Sequence, residues 1–306
     1  MAGTQDFEVD PRNANLLVFV NGALVPRDEA RVSIFDAGFS MGDGVWEGLR
    51  LHQGALLFLD AHLDRLMAGA AAIGIADKLD RGALEEALWR TIEANGMQGG
   101  GGVHLRLMVT RGLKSTASQD PRNIIGPPSV VITAEHKRPK PASGGLRLVT
   151  VSVRCAAPEM FDMRLNSHSR LPLILALNEA IAAGADEALM LDPHGFVSTC
   201  NATNFFFVAE DEVRTSAGRY CFNGITRSVV IALCQENRIP SRLGDFPPSA
   251  LAQASEAFVT GTMGGLAPVA AIDGRALAAA PGPVTERLRA LYAERIDAEA
   301  ALARRR

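Results

Sequence analysis

The chain has 306 residues, 47% hydrophobic and 21% charged, with 31 basic against 34 acidic side chains and a formal net charge of -3. That length predicts about two domains, each large enough for its own core. A mildly acidic chain whose only basic tract is the terminal run of three arginines offers no footprint for a nucleic-acid backbone, and no window approaches the roughly 18 apolar residues of a membrane span. With the polar start MAGTQDFEVDPRNAN, a cytoplasmic protein with neither nucleic acid nor membrane as partner is expected. Cys155, Cys200, Cys221 and Cys234 lie far apart with no CxxC pair, so reduced, buried thiols are expected and no metal site. Only four of the basic residues are lysine, at 78, 114, 137 and 140, and none follows Lys140.

In chain order, residues 16–20 and 23–26 flank Asn21-Gly22 and predict a hairpin. A glycine-studded stretch, 36–48, leads to a second predicted hairpin, 46–52 and 55–59, around Gln53-Gly54. From Asp60 the apolar spacing becomes helical, with Asp60 as the expected cap of a helix ending near Ile73. Residues 81–95 predict a second helix, and 103–110 and 129–133 two strands. The charged, Pro- and Gly-rich stretch that follows predicts a domain linker over 138–145, separating a domain 1–137 from a domain 146–306. Beyond it, 146–153 alternates as a strand and 171–183 is a helix with Pro172 in its first turn. Strands at 188–192 and 205–208 are expected on either side of the Pro193-His194-Gly195 turn. A helix over 226–237, a strand over 257–260 and a last helix from Val284 to about Ala300 complete the reading.

Two turns have the composition of anion sites. Gly224-Ile225-Thr226 opens a helix, where first-turn N–H groups lack intrahelical partners and lie at the positive end of the dipole. Gly261-Thr262-Met263-Gly264-Gly265 follows a strand, and its small residues allow close backbone approach. Either turn could equally just end an element.

The stretch FVNGALVPRDEARVSIFDAGFSMGDGVWEGLRLHQGALLFLDAHLDRL resembles the N-terminal domain of the fold-type IV pyridoxal phosphate enzymes, the class IV aminotransferases. The resemblance continues through EAIAAGADEALMLDPHGFVSTCNATNFFFV, NGITRSVV and EAFVTGTMGGLAPV, and WEGLR is most like the branched-chain branch. It implies an α/β, two-domain fold-type IV architecture, with a smaller α/β N-terminal domain and a larger, barrel-like C-terminal domain. It also implies pyridoxal or pyridoxamine 5'-phosphate as cofactor, an amino or keto acid as substrate, and a homodimer. By the same resemblance Arg65, after His62 in HxxR, contacts the cofactor phosphate. Ile225, Thr226 and Thr262 complete the phosphate cup, Asn204 closes the cofactor-strand motif, and Arg106 lies on the substrate side. Arg170, whose guanidinium offers a bidentate fork, either pairs with a substrate carboxylate or packs against a phosphate, and Phe39 is a further substrate-side candidate.

Two family residues have no counterpart. The Schiff-base lysine falls on Asn166, or on Leu165 with the branched-chain spacing, and neither forms an imine. The glutamate that pairs with the pyridine nitrogen falls on Thr199, whose neutral hydroxyl favours the unprotonated ring and a weaker electron sink. His168 is the titratable group nearest Asn166, either a proton shuttle or a polar loop histidine. Ser167 and Ser169 are expected as helix-start caps and Phe205–Phe207 as core. Asp43, Glu47 and Arg50 are expected in internal ion pairing, with substrate contact as the alternative. The reading is therefore an aminotransferase-like enzyme that binds the cofactor non-covalently and is not a conventional lysine-dependent transaminase. The alternative is a cofactor-independent enzyme or a non-catalytic binding protein that reuses the cup for another anion.

Overall fold

A computed structural model describes residues 3–140 and 144–304, so residues 141–143 of the expected linker lie outside it. The chain divides into two compact units. The first comprises Val9–Arg138 with Leu165–Ser169 and the stretch from Ile296, and the second Pro139–Arg164 and Arg170–Arg295 with the stretch through Glu8.

In the first unit, β1 (Leu17–Val20) and β2 (Ala23–Pro26) form the expected Asn21-Gly22 hairpin. The helix α1 (Ala37–Met41) precedes β3 (Gly44–His52) and the two-residue β4 (Ala55–Leu56). Next come α2 (Leu59–Ala72), α3 (Arg81–Ala94), β5 (Val103–Thr110) and β6 (Ser129–His136). The six strands form an antiparallel sheet in the order β2-β1-β6-β5-β3-β4. Alternation along β3 and β5 turns Val45, Leu49, Leu51, Leu105 and Leu107 to one face, where Leu63 and Leu66 of α2 and Leu84, Leu88 and Ile92 of α3 cover them. Each such side chain contributes roughly 1.5–3 kcal/mol when fully buried.

One local expectation fails here, and one stretch left without an element gains one. Asp60 does not cap α2: the N-cap is Phe58, held at φ 53 as the chain leaves β4, and Asp60 binds Arg81 instead, 2.7 Å away. The glycine-studded stretch contains α1, capped by Asp36, whose carboxylate accepts from Gly38 N and from the hydroxyls of Thr110 and Ser129.

The second unit is built on β7 (Leu146–Thr150), α4 (Leu171–Ala182), β8 (Glu187–Leu191), β9 (Val197–Cys200), β10 (Asn204–Ala209) and β11 (Glu212–Ser216). The chain continues through α5 (Ile225–Glu236), β12 (Ser241–Gly244), β13 (Glu256–Gly261), β14 (Gly265–Ile272), the short β15 (Arg275–Ala276) and α6 (Pro283–Ala303). Among the described residues these strands form a curled sheet ordered β12-β11-β10-β13-β14-β7-β8-β9, with β15 on β14. Phe205 and Phe207 of β10, Val259 of β13 and Leu148 and Leu189 fill one core, while Ala176 and Ala180 seat α4 on another. The Pro193-His194-Gly195 turn joins β8 to β9, not to β10, because VSTC pairs back on β8 before the phenylalanine strand begins. Glu256 accepts from the N–H groups of Val284 and Thr285 at the start of α6, and a Cβ on Gly282 would overlap its carboxyl. All four cysteines are buried and free, and no described helix is long and apolar enough to cross a membrane.

Candidate active site

The site residues read from the sequence fall into one set in each unit. In the first, Arg65 projects from α2 beside the fully buried Glu47 of β3, donating from Nε to Oε1 at 2.8 Å and from Nη2 to Oε2 at 2.7 Å. His62 Nδ1 is 2.7 Å from the same Oε2. HxxR spacing sets both side chains on one helix face, over the inward-pointing residue of the strand. Burial pushes the Glu47 carboxyl up, but the hydrogen bonds from Arg65 and His62 outweigh it, and the net direction is down. Burial holds His62 below its ordinary value, so the neutral ring donates Nδ1–H while Arg65 balances the carboxylate charge. The bidentate grip fixes the plane of the guanidinium on a side chain that remains 21% exposed. Asp43 pairs with Arg111 at 2.6 Å. Both carboxylates therefore find other arginines than Arg50, whose Nε is buried without a hydrogen-bond partner.

Residues 166–168 lie along the edge of β3. Trp46 N–H donates to Asn166 O at 2.9 Å, and Asn166 Nδ2 donates to Trp46 O at 2.6 Å. Ser167 bridges Val45, its carbonyl accepts from the Trp46 indole at 3.1 Å, and His168 N–H donates to Gly44 O at 2.9 Å. His168 Nε2 lies 3.2 Å from Val45 O, and Ser169 Oγ donates to Gly42 O. The serines therefore do not cap α4: Ser167 Oγ accepts from Ser169 N–H, and the N-cap of α4 is Arg170, without a side-chain cap bond. The physical reason is long-range, since a strand edge offers this segment a full set of partners.

On the opposite face of the sheet the Arg106 guanidinium stacks 3.9 Å from the centroid of the Trp46 ring, and burial lowers its pKa. His104 Nδ1 accepts from Lys137 Nζ at 3.2 Å. Burial, with Lys137 second, pushes His104 down to about 3. Gly48 is required beneath these rings, because a Cβ there would lie 2.9 Å from His104 Nε2. Phe39 on α1 is 68% exposed. The lysines are engaged elsewhere or exposed. Lys114 Nζ donates to the carbonyls of Ser118 and Asp120, Lys137 binds Glu135, Lys140 binds Asp6, and Lys78 lies on the surface.

In the second unit Thr262 follows β13, and Ile225 and Thr226 open α5. Gly224 is its N-cap and supplies no side-chain cap, so the first-turn N–H groups of Ile225 and Thr226 are open to an anion. Asn204 holds that turn: its Oδ1 accepts from Gly224 N–H at 3.1 Å and its Nδ2 donates to Phe222 O at 2.6 Å. Thr260, directly opposite Asn204 in the β10–β13 register, leads through Gly261 to Thr262, and its buried Oγ1 has no hydrogen-bond partner. Arg227, buried on the first turn of α5, also has an unpartnered Nε. Orphaned polar atoms around an uncapped helix start fit a phosphate ester, and sequence reasoning passed over Arg227 and Thr260 because burial without a partner leaves no trace in spacing. The Thr199 hydroxyl donates to Thr203 O at 2.8 Å. The Arg170 guanidinium lies 6.0 Å from the Phe222 ring centroid.

With this fold and these two residue sets in place, the chain belongs to the class IV aminotransferases: the family model Amino-transferase class IV matches residues 44–272. It is 40% identical over 289 residues to branched-chain-amino-acid aminotransferase-like protein 2 of Arabidopsis thaliana, covering 94% of this chain and 51% of that protein. It thus spans about half the length of the Arabidopsis relatives it matches. A putative branched-chain-amino-acid aminotransferase of Methanocaldococcus jannaschii is 35% identical over 266 residues, covering 85% of this chain and 89% of the relative. The crystal structure of the T.th. branched-chain amino acid aminotransferase with pyridoxamine 5'-phosphate superposes with a TM-score of 0.83 at 28% identity, over 93% of this chain and 95% of that one.

Proposed function

We propose that this protein binds pyridoxal or pyridoxamine 5'-phosphate non-covalently and acts on an amino or keto acid without a Schiff-base lysine. The observation that carries the reading is the commitment of Asn166. The residue at the family's lysine position cannot form an imine, and its amide is spent on the Trp46 carbonyl, while none of the four lysines lies in residues 160–175 or later. By the family resemblance, the phosphate would be held by Arg65, which Glu47 orients, and by the N–H and hydroxyl groups of Ile225, Thr226 and Thr262. When bound, the cofactor supplies an electron sink for carbanion chemistry at the substrate's alpha carbon. At the family's glutamate position Thr199 would offer the ring a neutral oxygen whose own proton is given to Thr203 O, which would make the ring a weaker sink than one facing a carboxylate. His168, its ring orientation set by Val45 O, is the group near Asn166 that accepts and returns a proton. Arg106, largely buried against Trp46, and Arg170 orient the substrate carboxylate. Exposed Val32, Ile34, Phe35 and Phe39 support a homodimer as part of this reading, and the protein is assigned to the cytoplasm.

Mass spectrometry of ligand released from freshly purified protein is expected to find pyridoxamine or pyridoxal phosphate. Borohydride treatment of protein loaded with pyridoxal phosphate is expected to leave no stable adduct in residues 160–175. A mass-shifted peptide there would overturn the non-covalent reading, and a protein that takes up neither form would replace it with reuse of the cup for another anion.

A further inference from the structure

We propose that Arg227 is the buried counter-charge of the anion cup at the start of α5, fixing the phosphate held there as its dianion. The proposal rests on the reading that this cup takes a phosphate ester. Arg227 is 5% exposed and forms no ion pair with a carboxylate among the described residues. Its one hydrogen bond runs from Nη2 to Ser216 O at 2.7 Å, and its Nε is buried with no acceptor. A Cβ on Gly218, which sits at φ +81, would overlap Asn223 Oδ1 and lie 3.3 Å from Arg227 Nη2, so these three groups share one tight corner. The nearest group able to become an anion is Cys221, and burial raises that thiol so that it stays neutral.

A cation placed this way is unfavourable twice over. Burial without a counter-ion disfavours the charged form, and the first turn of a helix is the positive end of its dipole. Both penalties are offset by direct attraction when an anion sits on the N–H groups of that turn. Thr260 Oγ1 is a second, independent buried orphan, on the strand residue opposite the Asn204 whose side chain takes the Gly224 N–H. Arg227 therefore acts through its field on an anion that Ile225 and Thr226 touch. It is a positioning residue for charge, and the ligand it selects is a doubly ionised phosphate over a carboxylate or a singly charged ester. A phosphate ester has a second pKa near 6, so the selection acts in the physiological range.

The test compares wild type, Arg227→Met and Arg227→Lys, with pyridoxamine 5'-phosphate, pyridoxamine and inorganic phosphate as probes. Ligand-free Arg227→Met is expected to melt at or above the wild-type temperature, because a buried unpaired charge has been removed. Its dissociation constant for pyridoxamine 5'-phosphate is expected to rise at least tenfold, while pyridoxamine, which lacks the phosphate, binds both proteins alike. Arg227→Lys is expected to recover most of the loss. The 31P resonance of bound pyridoxamine 5'-phosphate is expected to stay at the dianion position well below pH 6 in wild type and to titrate nearer pH 6 in Arg227→Met. Unchanged affinity in Arg227→Met, or a lower ligand-free melting temperature with an unchanged 31P titration, would overturn the proposal. If Arg227→Met does not fold, Arg227→Gln replaces it, and failure of both to fold makes Arg227 a structural residue and overturns the proposal. Wild type that binds inorganic phosphate but not pyridoxamine 5'-phosphate overturns the cofactor reading alone. The phosphate titration of the variants then decides the role of Arg227.

Discussion

Glu47 brings a full carboxylate into an apolar layer, and that cost is offset only because Arg65 and His62 both donate to it. Removing one member of a buried ion pair leaves the other charge uncompensated, so Glu47→Gln is expected to lose about 3 kcal/mol or more of unfolding free energy, read from urea denaturation. A loss below about 1 kcal/mol would show that water reaches Arg65 freely. His104 gives a pH dependence of definite sign. Its folded pKa is pushed down to about 3 by burial, against about 6.5 in an unfolded chain. Between those values the unfolded state binds the extra proton, so this stabilisation is complete above about pH 6.5 and declines as the pH falls toward 3, by at most roughly 1.4 kcal/mol per unit. Denaturation midpoints at pH 7 and pH 4.5 should therefore differ more in wild type than in His104→Gln, and equal differences would remove His104 from the account. At this scale the placement of His62 and Arg65 on one helix and the helix opening at Gly224-Ile225-Thr226 were legible, because both follow from residue type and spacing. The pairing of Glu47 with Arg65 rather than Arg50 was not, since it depends on which face of β3 meets α2.

The segment 166–168 behaves as an added strand on the edge of β3, and Asn166 is its principal fastener. Asn166→Ala is expected to lose about 1–2 kcal/mol, the cost of leaving the Trp46 carbonyl without that donor. Asn166→Asp should lose more, because it turns a carboxylate oxygen toward that carbonyl. Chemical denaturation of the two variants side by side checks the order, and Asp at or above Ala in stability would mean that the amide does not hold Trp46. Helix 81–94 and strand 103–110 were legible to within a residue because each keeps one period over many residues. The helix α1 and the strands β9, β11, β12 and β14 were not, since short elements rich in glycine, polar residues or proline show no period of their own and form through partners distant in sequence.

For the whole molecule, a cofactor held without a covalent bond stabilises by mass action alone. Melting temperature should climb steadily with pyridoxamine 5'-phosphate concentration, the free-energy gain reaching about 2.7 kcal/mol at a hundred times the dissociation constant. Dialysis without any competing amine should return the protein to its ligand-free value. A melting temperature that dialysis fails to lower would point to covalent attachment. The sequence by itself determined the class IV motifs, the glycine turns at 224–226 and 261–265 and the absence of lysine after Lys140, because each is a matter of residue type at short spacing. Only the tertiary structure decided that the Asn166 amide is spent on Trp46, that the Thr199 proton goes to Thr203, and that Arg227 is buried with no carboxylate paired to it among the described residues. Those facts depend on which segments share an edge or a face, and burial and hydrogen-bond pairing are set by contacts between residues far apart in the chain.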